Sequence, residues 1–105
     1  MPLLTDELRA RLPPLLSQEA EDEPYVYARL YLPGTSLTWY VLEGEATEYA
    51  GYVMCCFFAG KEEHSFGHFS EGFLDAFRGP NGEVVQVDDH FTEGRLTDVV
   101  PAPDS

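Results

Sequence analysis

Apolar residues recur along this chain with two different periods, and the change of period marks the elements. Leu4, Leu8 and Leu12, followed by Leu15 and Leu16, are spaced for one face of a helix over residues 5–16. Thr5 is placed to cap it, with Asp6 and Glu7 in the first turn, where the helix dipole favours acids. Pro13 and Pro14 end or kink it, because a proline has no N–H for the ladder. Residues 17–24 are polar and acidic and read as an exposed loop. From there the period is two. Residues 25–32 place Tyr25, Tyr27, Arg29 and Tyr31 on one face and Val26, Ala28, Leu30 and Leu32 on the other.

Pro33 and Gly34 signal a turn into a second strand over residues 37–43, with Leu37, Trp39 and Val41 on one face. Residues 43–50 read as an acidic loop. Residues 51–59 are apolar on both faces, which suits a central strand, and residues 64–69 form a fourth strand after a turn at 60–63. Ser70 is placed to cap a short helix carrying Phe73, Leu74 and Phe77. Residues 83–91 allow a short fifth strand, residues 96–100 pack back on the sheet, and residues 101–105 are expected to fray. The expectation is an α+β fold in one domain, 1–105. It has a single antiparallel sheet of four to five strands, with two to three short helices packed mainly on one face.

Composition changes this picture in two ways. At 105 residues with 44% hydrophobic content, the chain can bury roughly 65% of its unfolded surface, so whole-chain disorder is excluded. Nineteen Asp and Glu against six Lys and Arg give a net charge of −13. Such a field repels nucleic acid and anionic membrane and attracts basic surfaces. The start of the chain has no basic stretch leading into a long apolar run, and the longest apolar run, residues 52–59, is too short to span a bilayer. Cys55 and Cys56 are adjacent within that run and point to opposite faces of a strand, so no disulfide framework is expected. A cytoplasmic setting follows.

The candidate chemistry is thin. His64 and His68 lie about 13 Å apart on a strand, too far to share a metal; Asp88, Asp89 and His90 could add ligands only if the last strand lay beside the fourth. The sequence favours solvated acids and surface imidazoles over a metal centre, and no cofactor is expected. Ser70 reads as a cap rather than a nucleophile, and Cys55 and Cys56, among Val, Met and Phe, read as packed thiols. Glu43, Glu45 and Glu48 read as a solvated rim rather than a tuned acid–base pair. No catalytic residue is assigned.

Several strings together resemble one family. They are Leu3, Leu4 and Thr5 with Leu12 and Pro13; Thr38, Trp39, Tyr40 and Val41 followed by Glu43; Gly67, His68, Phe69 and Ser70 entering a helix; and the late Asp89 with Phe91. The family is the bacterial domain of unknown function 2958, common on plasmids and integrative elements, and the likeness runs from residue 3 to about residue 96. The third and fourth strands depart from it, with Cys55, Cys56, Phe57 and Phe58 in the third, and with Gly67 to Ser70 in the fourth. The resemblance implies a mobile-element setting and no activity.

Charge and resemblance lead to one functional expectation. It is a small non-enzymatic inhibitor of a nucleic-acid-binding defence system, of anti-CRISPR or antirestriction type, acting as a DNA mimic. Carboxylates two apart on a strand repeat at about 6.6 Å and can imitate a phosphate backbone. The partner would be a basic protein surface, met through Glu19, Glu21, Asp22, Glu23, Glu43, Glu45, Glu48, Glu62, Glu63, Asp88 and Asp89, with Tyr25 and Tyr27 as interface aromatics. The alternatives are a plasmid-maintenance scaffolding module with incidental acidity and a small metal-dependent hydrolase.

Overall fold

The computed structural model describes residues 3–18, 20–61 and 63–100. The expectations attached to Glu19, Glu62 and the tail 101–105 lie outside them. The fold is α+β, with a five-stranded antiparallel sheet, a separate two-stranded sheet and three short helices. In chain order the elements are α1 (Asp6–Arg11), β1 (Tyr25–Val26), β2 (Ala28–Tyr31), β3 (Thr38–Thr47), β4 (Gly51–Ala59), β5 (His64–Ser70), α2 (Glu71–Ala76), β6 (Gln86–Val87), β7 (Gly94–Arg95) and α3 (Leu96–Val99). The large sheet runs β5-β4-β3-β2-β6, and β1 pairs with β7. No described helix is long and apolar enough to cross a membrane.

The helix starts follow the expected capping. The Thr5 hydroxyl accepts the Leu8 N–H at 3.1 Å, and the Ser70 hydroxyl accepts the Phe73 N–H at 3.1 Å. Helix α1 stops at an extended Leu12 just before Pro13, as the clash of a proline ring with the preceding residue requires.

The sheet departs from expectation at four places. β3 does not end at Glu43 but continues to Thr47, because Gly44, Glu45, Ala46 and Thr47 stay in register with β4 down to the turn at Gly51 (φ +68°). The long strand expected over 25–32 is split at Tyr27. The Tyr27 N–H donates to the Val41 carbonyl at 2.9 Å while Ala28 is the residue opposite Val41, so two residues meet one. Val26 therefore joins a different cluster from Ala28, Leu30 and Leu32, and the expected common face of Tyr25, Tyr27, Arg29 and Tyr31 does not form. The fifth strand shrinks to Gln86–Val87 and pairs with β2. The chain near 94–95 forms the two-stranded sheet instead of extending the large one.

One face of the large sheet carries Ala28, Leu30, Leu32, Trp39, Val41, Met54 and Cys56. It is covered by Leu4, Leu8 and Leu12 from the α1 region and by Leu74 and Phe77 from α2. Trp39 is 2% exposed, with its ring against Phe58, Phe69 and Phe77 at centroid distances of 5.4, 6.4 and 6.1 Å. The other face carries Tyr40 and Leu42, with Cys55, Phe57 and Ala59 beside them. Only part of it is covered, by Phe91 and the α3 residues Leu96 and Val99.

Candidate functional site

The uncovered part of that second face is shaped by a second bulge. Val41 pairs with Cys56, but the next pair in register is Glu43 with Cys55, so Leu42 is the extra residue. A strand alternates faces, and one inserted residue turns Glu43 to the same side as Leu42 and Cys55. Glu43 is 3% exposed there.

Burial of this carboxylate is matched by hydrogen bonds. β2 pairs with β3 only over residues 38–41, which leaves the rest of that β3 edge without a strand partner. Residues 13–18 fill it. The Gly44 N–H donates to the Pro13 carbonyl at 2.9 Å. The Leu16 and Gln18 N–H groups donate to the two Glu43 carboxylate oxygens, each at 2.6 Å. The Leu15 N–H reaches Glu45 at 3.2 Å. The Gln18 amide donates to the Leu42 and Tyr25 carbonyls at 2.9 and 3.1 Å and accepts the Tyr25 N–H at 2.6 Å. Leu16 is held at φ +71°, a region costing a branched residue about 1–2 kcal/mol, yet its side chain is 60% exposed.

Between this loop and the sheet lies a cavity of about 460 Å³. Its walls come from Leu16, Glu21, Asp22 and Pro24 on the loop side, and from Leu42, Glu43, Cys55, Phe66 and His68 on the sheet. His68 of β5 pairs directly opposite Cys55 of β4, and Phe66 pairs opposite Phe57. Phe66 is 59% exposed at the mouth. His64, on the same strand, stacks on the Phe57 ring with centroids 5.8 Å apart.

Cys55, His68 and Glu43 thus share one cavity, a grouping that could serve thiol chemistry. The electrostatics run the other way. Burial, together with the Glu43 carboxylate, pushes the Cys55 thiol up to about 11, so it is protonated at neutral pH. A catalytic thiolate needs the reverse setting. Cys56 is fully buried in the first core, and burial pushes its thiol well above the ordinary range.

The expected partner-binding residues divide into several groups. Glu21, Asp22, Glu45, Glu48, Glu63 and Asp89 are exposed. Glu23 is also exposed, and it accepts the Thr97 hydroxyl. Glu43 corrects the expectation of a solvated rim: it is buried and both its oxygens are engaged inside the fold. Asp88 is half-buried and bonded to Arg29 at 2.9 Å, with the Arg29 guanidinium 5.0 Å over the Tyr31 ring. Tyr25 is half-buried, its hydroxyl 3.3 Å from Glu93 and its ring under Arg95, while Tyr27 packs against the first core. Glu48 and Glu63 flank opposite ends of the nine-residue β4, roughly 27 Å apart along the strand. The condition for Asp88, Asp89 and His90 to join His68 also fails, since β6 and β5 are opposite edges of the sheet. Among the described residues no group of three or more His, Cys, Asp or Glu is placed to hold a metal.

A second buried carboxylate lies on the helical side. Glu71, 6% exposed, accepts the Leu4 N–H at 2.7 Å and pairs with Arg9, whose guanidinium sits 5.1 Å over the Tyr52 ring. It ties the α1 segment to the start of α2. The sequence places Glu71 beside a helix cap and contains no signal for its partner 62 residues away. Comparison with known families, with curated proteins and with solved structures finds no match for this chain.

Proposed function

We propose that this chain is a non-enzymatic binding protein that engages a basic protein surface. In its specific form it is an inhibitor occupying the nucleic-acid path of a defence complex as a DNA mimic. The observation that carries the reading is the fate of the charges. Arg9, Arg11 and Arg29 pair with Glu71, Glu93 and Asp88 within the chain, and Arg78 and Arg95 donate to main-chain carbonyls. Glu21, Asp22, Glu48, Glu63 and Asp89 face water. With Lys61 exposed and Glu43 and Glu71 buried, most of the acidic excess still faces water, which speeds encounter with a positive partner. The protonated Cys55 supports a role without thiol chemistry.

The internal engagement of Glu43 and Asp88, two of the carboxylates expected at the interface, favours a second reading, a binding or scaffolding module whose acidity is general and imitates no phosphate track. One experiment separates the two. Capture from a host lysate is run at low and at high salt, and the captured protein is then tested for DNA binding with and without this chain. Mimicry requires capture that weakens as salt rises, DNA displacement by the wild type, and loss of both in a Glu21→Lys, Asp22→Lys, Glu23→Lys variant. Screening over about 8 Å at physiological ionic strength is the reason for the salt dependence. Capture with DNA binding untouched overturns mimicry and leaves the scaffolding reading. Salt-independent capture overturns the electrostatic basis of both.

A further inference from the structure

We infer that the cavity between residues 16–24 and strands β3 to β5 is a binding site for an organic cation with an apolar stem, an alkylguanidinium or alkylammonium group. The proposal deepens the binding reading by naming the anchor group that a basic partner would insert.

Shape, floor, rim and charge all point to that class. The volume of about 460 Å³ lies in the range of small-molecule sites and exceeds what one arginine-sized group needs. Leu42, Pro24 and Leu16 supply an apolar floor and wall for a methylene stem. Phe66, more than half exposed, lines the same cavity with an aromatic side chain, the class of group that attracts a cation. Glu21 and Asp22 stand on the rim as exposed carboxylates. Glu43 lies at the back, and its two bonded donors are neutral backbone N–H groups. Among the described residues no Lys or Arg forms an ion pair with Glu43, so its charge is uncompensated by any cation of the fold. An anion or a neutral apolar molecule would face three carboxylates there; a cation with a stem matches both halves of the lining.

The test is a titration of the intact ¹⁵N-labelled protein, followed by its amide spectrum. The probes are n-butylguanidinium, N-acetyl-arginine amide and agmatine, with n-butanol and butyrate as neutral and anionic controls. The cations are expected to shift the amides of Leu16, Asp22, Glu43, Cys55, Phe66 and His68 in a saturable way, and the controls are not. Tighter binding of N-acetyl-arginine amide assigns the site to a protein side chain; tighter binding of agmatine assigns it to a free amine. An exposed ion contact is worth up to about fivefold in affinity. The Glu21→Gln, Asp22→Asn variant should therefore bind roughly twofold to thirtyfold more weakly, with amide shifts outside the cavity unchanged because both side chains are exposed. No saturable shift by any cation, equal shifts by n-butanol, or unchanged affinity in the variant would overturn the proposal. The titration uses no partner protein, so cation binding without lysate capture defeats the partner reading alone, and the reverse result defeats the cavity alone.

Discussion

Replacing Glu43 by Gln changes one atom in kind and almost none in volume, and it separates a buried structural carboxylate from a surface acid. In the native fold each Glu43 oxygen receives one backbone N–H, from Leu16 and from Gln18, at 2.6 Å. A glutamine brings one oxygen and one NH₂ group. One of the two N–H donors then faces another donor, and the remaining bond loses its charge. A hydrogen bond to a charged acceptor contributes about 1.5–3 kcal/mol, and a buried donor left without a partner costs about as much. The carboxylate also loses its own desolvation cost, so the net loss should be about 1.5–3 kcal/mol. Unfolding entropy near 2.1 cal/mol/K per residue puts 1 kcal/mol at about 4–5 °C for a 105-residue chain. The melting temperature should fall by about 7–14 °C, read by circular dichroism and confirmed by urea titration. Glu48→Gln is the matched control, since Glu48 is exposed in the hairpin turn and should shift stability by under about 0.5 kcal/mol. A Glu43→Gln variant as stable as the control would refute the assignment of Glu43 to the interior. The same reasoning predicts that reversing Glu43, Glu45 and Glu48 to Lys together detaches residues 13–18, so that variant reports on folding and not on a docking surface.

Three further expectations follow from named contacts. Trp39→Ala should cost about 3–5 kcal/mol in urea unfolding because the ring is buried among three Phe rings, whereas Trp39→Phe should cost less, since it keeps an aromatic ring and removes an indole N–H that has no partner; equal losses would contradict this packing. In a double-mutant cycle, Arg9→Ala and Glu71→Ala should be coupled by about 0.5–3 kcal/mol, and additive losses would show that α1 is not tied to α2 through this pair. The Cys55 thiol should alkylate with a pH midpoint near 11; a midpoint at or below 8.5 would restore the nucleophile. The linkage has a definite sign. An unfolded thiol ionises near 9 while the folded one stays protonated to about 11, so the fold should lose stability as pH rises through that window.

What the sequence determined by itself was everything with a local cause. Thr5 and Ser70 cap helices because a hydroxyl three residues before a free N–H can reach it, and Pro13 stops α1 because of its own ring. The apolar run at 51–59 is a strand interior to the sheet because both of its faces need cover. The net charge follows from counting. The tertiary structure decided what depends on residues far apart in the chain. A bulge moves one residue to the other face, and nothing in the composition around Tyr27 or Leu42 announces it, since the cause is the register of a partner strand. Glu43 and Glu71 look like their acidic neighbours in sequence. They differ only because backbone donors 25 to 67 residues away arrive beside them and make burial of a carboxylate tolerable. The cavity joins residues from 16 to 68 and exists only once that loop is pinned over the open face of the sheet, which is why periodicity, read one segment at a time, contains no trace of it.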